Sequence, residues 1–119
     1  MRDLTQVEID VALDDNGEAD EGCVAIETTV GELAALGAQT VCGESGNCCF
    51  AELAKQGFAD RFARGWFYRA ENEVWGMFHI ECADEAEAEA ISEIAYEGGG
   101  SLRPSGKSLW GGFWEFEIE

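Results

Sequence analysis

Residues 65–82 read GWFYRAENEVWGMFHIEC and residues 83–100 read ADEAEAEAISEIAYEGGG; the change of rhythm between them decides the fold. The first stretch follows a period of two, so Trp66–Ala70 and Glu73–Cys82 predict an antiparallel hairpin turning at Glu71-Asn72. In the second, Asp84 stands as an N-cap before a helix over Glu85–Glu97. Ala86, Ala90, Ile91 and Ile94 form its expected buried stripe, and Gly98-Gly99-Gly100 stops it.

Working outward, Val7, Ile9, Val11 and Leu13 alternate with Gln6, Glu8, Asp10 and Ala12, which predicts a half-buried strand. Asp14-Asp15-Asn16-Gly17 breaks it, and Cys23–Thr28 returns as the second strand of a hairpin with a long acidic loop. Thr29-Val30-Gly31-Glu32 fits a capping box for a short helix through Leu36, ended by Gly37. Gln39–Gly46 reads as irregular. Asn47 then caps a longer helix carrying Phe50, Leu53, Ala54, Gly57, Phe58 and Phe62 at helical spacing, with Gly57 able to divide it. Beyond a loop with Pro104 and Gly106, Leu109–Ile118 is the last strand, its Trp114, Phe116 and Ile118 facing inward.

The expected architecture is a single acidic α+β domain over residues 1–119. It resembles, in topology alone, a ferredoxin-like βαββαβ antiparallel sheet with helices on one face. An extra N-terminal hairpin strand and a broken first helix are its departures. Such a fold does not imply a function.

Composition narrows the function classes. The chain is 46% hydrophobic and 11% aromatic, which is enough to build a core despite its charge. No apolar run approaches the roughly 18 residues needed to cross a bilayer, and residues 1–5 lack a secretory signal. A soluble, cytoplasmic protein is expected. Its five cysteines, an odd number, then read as reduced thiols, most of them packed as small hydrophobes.

The catalytic and cofactor motifs fail on spacing. Ser105-Gly106-Lys107-Ser108 has Ser101 where a phosphate loop needs Gly, and a strand follows where a helix should. Gly43-Glu44-Ser45-Gly46-Asn47 misses the nucleophile elbow, and His79 is the chain's lone histidine. The acidic loop Asp14–Glu21 places Ala12 and Cys23 where a calcium loop needs its first and twelfth ligands. Zinc is the sharpest alternative, with Cys42, Cys48, Cys49 and Cys82 as candidate ligands beside His79. It lacks a C-x2-C pair. Cys48 and Cys49 diverge by about 100° on a helix, and His79 and Cys82 face opposite sides of a strand. The expectation is no cofactor and no enzyme.

Charge carries the functional reading. Twenty-five acids against seven basic residues give a net charge of −18. Residues 3–52 hold twelve of the acids and residues 71–100 hold nine, and neither span contains Lys or Arg. Such a field repels nucleic acid and anionic membrane and attracts basic surfaces. Strand aromatics such as Trp66, Tyr68 and Trp75 would stack RNA bases only beside positive charge, and Glu73, Glu81, Glu115 and Glu117 interleave instead. Direct nucleic-acid binding is therefore disfavoured.

Glu85, Glu89, Glu93 and Glu97 repeat every four residues, forming one helical ridge with about 6 Å per step. Glu8 and Asp10 on the first strand, with Glu115 and Glu117 on the last, are expected to extend it. The matching partner is a basic nucleic-acid-binding protein or complex. In size, charge and want of a catalytic motif the chain resembles small acidic nucleic-acid mimics, the anti-CRISPR and anti-restriction proteins of phage, though it shares no residue string with them. The alternative is a salt-adapted or zinc-stabilised domain whose acid serves solubility.

Overall fold

The computed structural model describes residues 1–13, 22–40 and 48–118. The expected turn at Asp14–Gly17, the loop through Glu21, the cap at Asn47, the elbow-like Gly43–Asn47 and Cys42 lie outside them. Among the described residues the strands are β1 (Arg2–Asp3), β2 (Cys23–Thr29), β3 (Gln39–Thr40), β4 (Phe62–Tyr68), β5 (Glu73–Glu81), β6 (Leu102–Lys107) and β7 (Phe113–Ile118). The helices are α1 (Gln6–Ala12), α2 (Val30–Leu36), α3 (Cys48–Leu53) and α4 (Glu85–Glu97).

The strands form one sheet in the order β1-β2-β4-β5-β7-β6, every one of these pairs antiparallel. The two-residue β3 runs parallel to the start of β5. The chain is thus α+β with an antiparallel sheet, but the ferredoxin-like arrangement is not found. A split βαβ unit inserts a strand between the two that flank a helix. Here β2 and β4, which flank α2 and α3, pair directly over seven residues.

The principal core lies on one face, where α2, α3 and α4 cover Ile26, Phe67, Val74, Phe78, Ile80 and Phe116. Phe50 of α3 meets Phe78 edge to face. At this contact Gly65 is required, because a Cβ there would stand 2.3 Å from the Phe78 ring.

The helices are not confined to that face. The alternating segment of residues 6–13, expected as a strand, contains α1, which lies on the other side of the sheet. Thr5 and Glu8 close a full capping box, and Ile9 and Leu13, one turn apart, are the buried pair. Val7 and Val11 point outward. Alternation and an i, i+4 pair coincide in so short a segment, and the cap decides between them. The extra N-terminal strand is instead β1, paired with Glu27 and Ile26 of β2.

Elsewhere the local signals hold. Thr29 caps α2 by accepting from the Glu32 amide, though the Glu32 carboxylate turns to the Met1 amine and Thr28, so the expected box is half made; Gly37 ends the helix at φ +66°. The turn between β4 and β5 falls at Asn72, φ +54°. Phe62, expected in a helix, opens β4 because the chain breaks at Gly57, φ +101°. The loop expected around Pro104 contains β6, an edge strand with an irregularity between Pro104 and Gly106, where an edge tolerates proline. Trp114, Phe116 and Ile118 face the principal core as expected, but β7 starts only at Phe113, after a turn through Leu109–Gly112.

Candidate functional site

The acidic ridge is set by how α4 is fastened. Asp84 accepts from the Glu87 amide at 2.9 Å, and Glu87 in turn accepts from the Ala83 amide at 2.8 Å. Arg61, just before β4, grips both Glu87 oxygens and packs its guanidinium over Phe58. The Arg61 guanidinium, with help from the Ala83 amide, draws the Glu87 carboxyl down to about 2. The buried stripe is Ala88, Ile91 and Ala95, turned from the expected one, so Ala86 is exposed. That rotation leaves Glu85, Glu89, Glu93 and Glu97 all exposed along one side.

Among the described residues none of these four forms an ion pair. Gln56 joins Glu97 to Glu52 of α3, donating to them at 3.1 and 3.2 Å, so the negative strip continues across a second helix. Beside the ridge runs a groove of about 390 Å³, walled by Glu85, Glu89 and Glu93 and by Pro104, Ser105 and Gly106 of β6. Trp114 also lines it, and its buried Nε1 has no hydrogen-bond partner among the described residues. Tyr96, 79% exposed, stands on the last turn of α4.

The second group of expected site residues does not join this strip. Glu8 sits on α1, where Arg2 holds both its oxygens at 2.9 and 2.7 Å and Arg64 approaches at 3.3 Å. The hydrogen bond from Arg2, with those from Thr5, holds the Glu8 carboxyl well below the usual carboxylate range. Asp10, also on α1 and not on a strand, accepts from Gln6. Glu117 pairs with Arg103, and Glu115 accepts from the Ser105 hydroxyl at 3.0 Å.

What the sheet builds on the α1 side is a transverse row of charged side chains with His79 set among them. Arg2 stands opposite Glu27, Glu27 opposite Arg64, Arg64 opposite His79, and His79 opposite Glu115. Arg2 and Arg64 bond Glu27 at 2.9 and 2.8 Å. Burial pushes Glu27 up, but these two guanidinium bonds outweigh it and leave its carboxyl below the ordinary value. Arg69 pairs with Asp3. All five arginines therefore have carboxylate partners.

Trp110 closes the row from above. Its Nε1 donates to the Glu8 carbonyl at 3.0 Å, and Arg64 lies 5.0 Å from its ring. Under it, His79 is 1% exposed, with Nδ1 2.9 Å from the Ser108 hydroxyl and Nε2 3.7 Å from Glu115. A Ser–His–acid order is present, but the ring is closed to solvent and the Ser108 oxygen already accepts the Trp110 amide. Burial, reinforced by Arg64, lowers the His79 imidazole to about 4, so it is neutral at pH 7. This contact set joins residues up to 102 positions apart, and its sequence signal was the Thr5–Glu8 capping box.

Cys49 and Cys82 lie in the principal core, and burial pushes the Cys82 thiol up to about 12. Among the described residues no group of three or more His, Cys, Asp or Glu is placed to hold a metal ion, and Cys42 lies outside them. No helix among them is long and apolar enough to cross a membrane. Comparison with protein-family models, curated proteins and solved structures finds no match.

Proposed function

We propose that this chain is an acidic, non-catalytic interaction protein that uses α4 to occupy the nucleic-acid-binding surface of a basic cytoplasmic partner. The observation that carries this reading is the contrast in how carboxylates are used. On the α1 side Glu8 and Glu27 are held by arginine, whereas Glu85, Glu89, Glu93 and Glu97 are left open to the solvent. Three steps of about 6 Å make the ridge about 18 Å long. A nucleic-acid strand advances about 3.4 Å per phosphate, so the ridge matches the reach of about five phosphates. Tyr96 and the groove beside Trp114 add contact area of the kind interfaces favour.

The test is binding with competition. Partners captured on the immobilised chain should be nucleic-acid-binding proteins, be displaced by duplex DNA, and dissociate steeply with salt. Combining Glu85→Lys, Glu89→Lys and Glu93→Lys should abolish capture while leaving circular dichroism and thermal unfolding near wild type. Undiminished capture by that variant rejects the α4 surface. Unfolding of the wild-type chain at low salt would favour acid as solvent chemistry.

A further inference from the structure

We propose that His79 is an acid-sensitive latch: protonating its buried ring frees Trp110 and, with it, releases α1 from the sheet. The argument begins with what surrounds the ring. Across β4 it faces Arg64, and across β7 it faces Glu115. From α1, Glu8 reaches the same Arg64, as does Glu27 from β2, and Arg2 of β1 holds both acids. Lys107 ends β6 next to Ser108, and Glu81 lies two residues along β5. Glu8 and Glu27 are thus committed to arginine, which leaves Arg64 and Glu115 as the charges beside the ring.

A second proton on the ring puts a cation next to Arg64, in a site closed to water. Glu115 stands at 3.7 Å, beyond hydrogen-bond reach, and compensates only partly. The cation gains most by reaching solvent. What stands over it is Trp110, whose ring centre is 4.8 Å away in an edge-to-face contact. Trp110 is also the pin of α1, through its bond to the Glu8 carbonyl and its packing with Ile9 and Leu13. Hydrating His79 and undocking α1 are therefore one event. The principal core, on the other face of the sheet, shares none of these side chains.

The sign follows from linkage. The closed state holds the ring near 4 and an open state returns it toward 6.5, so the open state takes up the proton between those values. Closure is complete above pH 6.5 and weakens as pH falls toward 4. That separation corresponds to an opening equilibrium shifted by about three hundredfold in full, of which about sixtyfold falls between pH 7 and pH 4.5.

The experiment is hydrogen exchange of the whole chain, corrected for intrinsic rates, from pH 7 to pH 4.5, with NMR titration of the His79 ring. Exchange at the Ile9 and Leu13 amides should rise by about sixtyfold and track protonation of the ring, while Phe67 and Val74 change much less. In His79→Gln the α1 rise should disappear. An equal rise in that variant, an equal response of sheet and α1 amides, or a ring that titrates at its ordinary value without loosening α1 overturns the latch. If His79→Gln fails to fold, the wild-type titration and exchange decide alone.

Discussion

The two faces of the sheet use opposite chemistry to do the same task. On one, α2, α3 and α4 lie on an apolar layer in which Phe50, Phe78 and Phe116 are fully buried. On the other, the seven-residue α1 covers a row of paired charges and is pinned by one indole. Apolar burial is additive and non-directional, so the first face tolerates helices set at many angles. A charged row is directional and stands only if each member finds its partner. The first face therefore carries the stability, and the second fixes one arrangement of the N-terminal segment.

The contrast also sorts the acid of this chain. Carboxylates near arginine are structural: Glu8, Glu27 and Glu87 all sit below their ordinary pKa because guanidinium groups hold them. Among the described residues Glu85, Glu89, Glu93 and Glu97 have no such partner, and like charges one turn apart repel.

Phe78→Ala should damage the molecule most, costing about 3–5 kcal/mol in urea unfolding, since it empties the centre of the apolar face. A loss below 1 kcal/mol would show that this face is not the main support. Arg64→Met should cost about 2 kcal/mol at pH 7 by leaving Glu27 to Arg2 alone and removing the second contact to Glu8. Because Arg64 helps hold the Glu27 carboxyl below its ordinary value, that deficit should be full above the ordinary carboxylate pKa and shrink as pH falls through the folded value. A deficit independent of pH would mean that Arg64 acts through packing on Trp110 and Phe113 alone. Glu93→Gln should have the smallest effect, a gain of a few tenths of a kcal/mol from relieved repulsion near the C-terminal half of α4. A clear loss of stability would reveal a structural partner for the ridge.

Legibility from sequence followed the range of the interaction. The bounds of α4, the caps of α2 and the hairpin of β4 and β5 depend on residues within a few positions of each other, and they read correctly. The site reading divided along the same line. The ridge is a property of one helix, and its four carboxylates lie exposed on α4. Its extension to Glu8, Asp10, Glu115 and Glu117 needed a strand that is a helix, and arginines whose partners lie up to 56 residues away in the case of Arg64 and Glu8. β6 was hidden by Pro104 and Gly106, whose turn signals are real but harmless at an edge.

By itself the sequence determined the charge, the N-caps of α2 and α4 and the four-residue spacing of acid on α4, because each is written in neighbouring residues. Only the tertiary structure decided which acids are spent and which remain. That choice depends on where five arginines land after β1, β2, β4, β5 and β7 are laid side by side, and register across a sheet is not a local quantity.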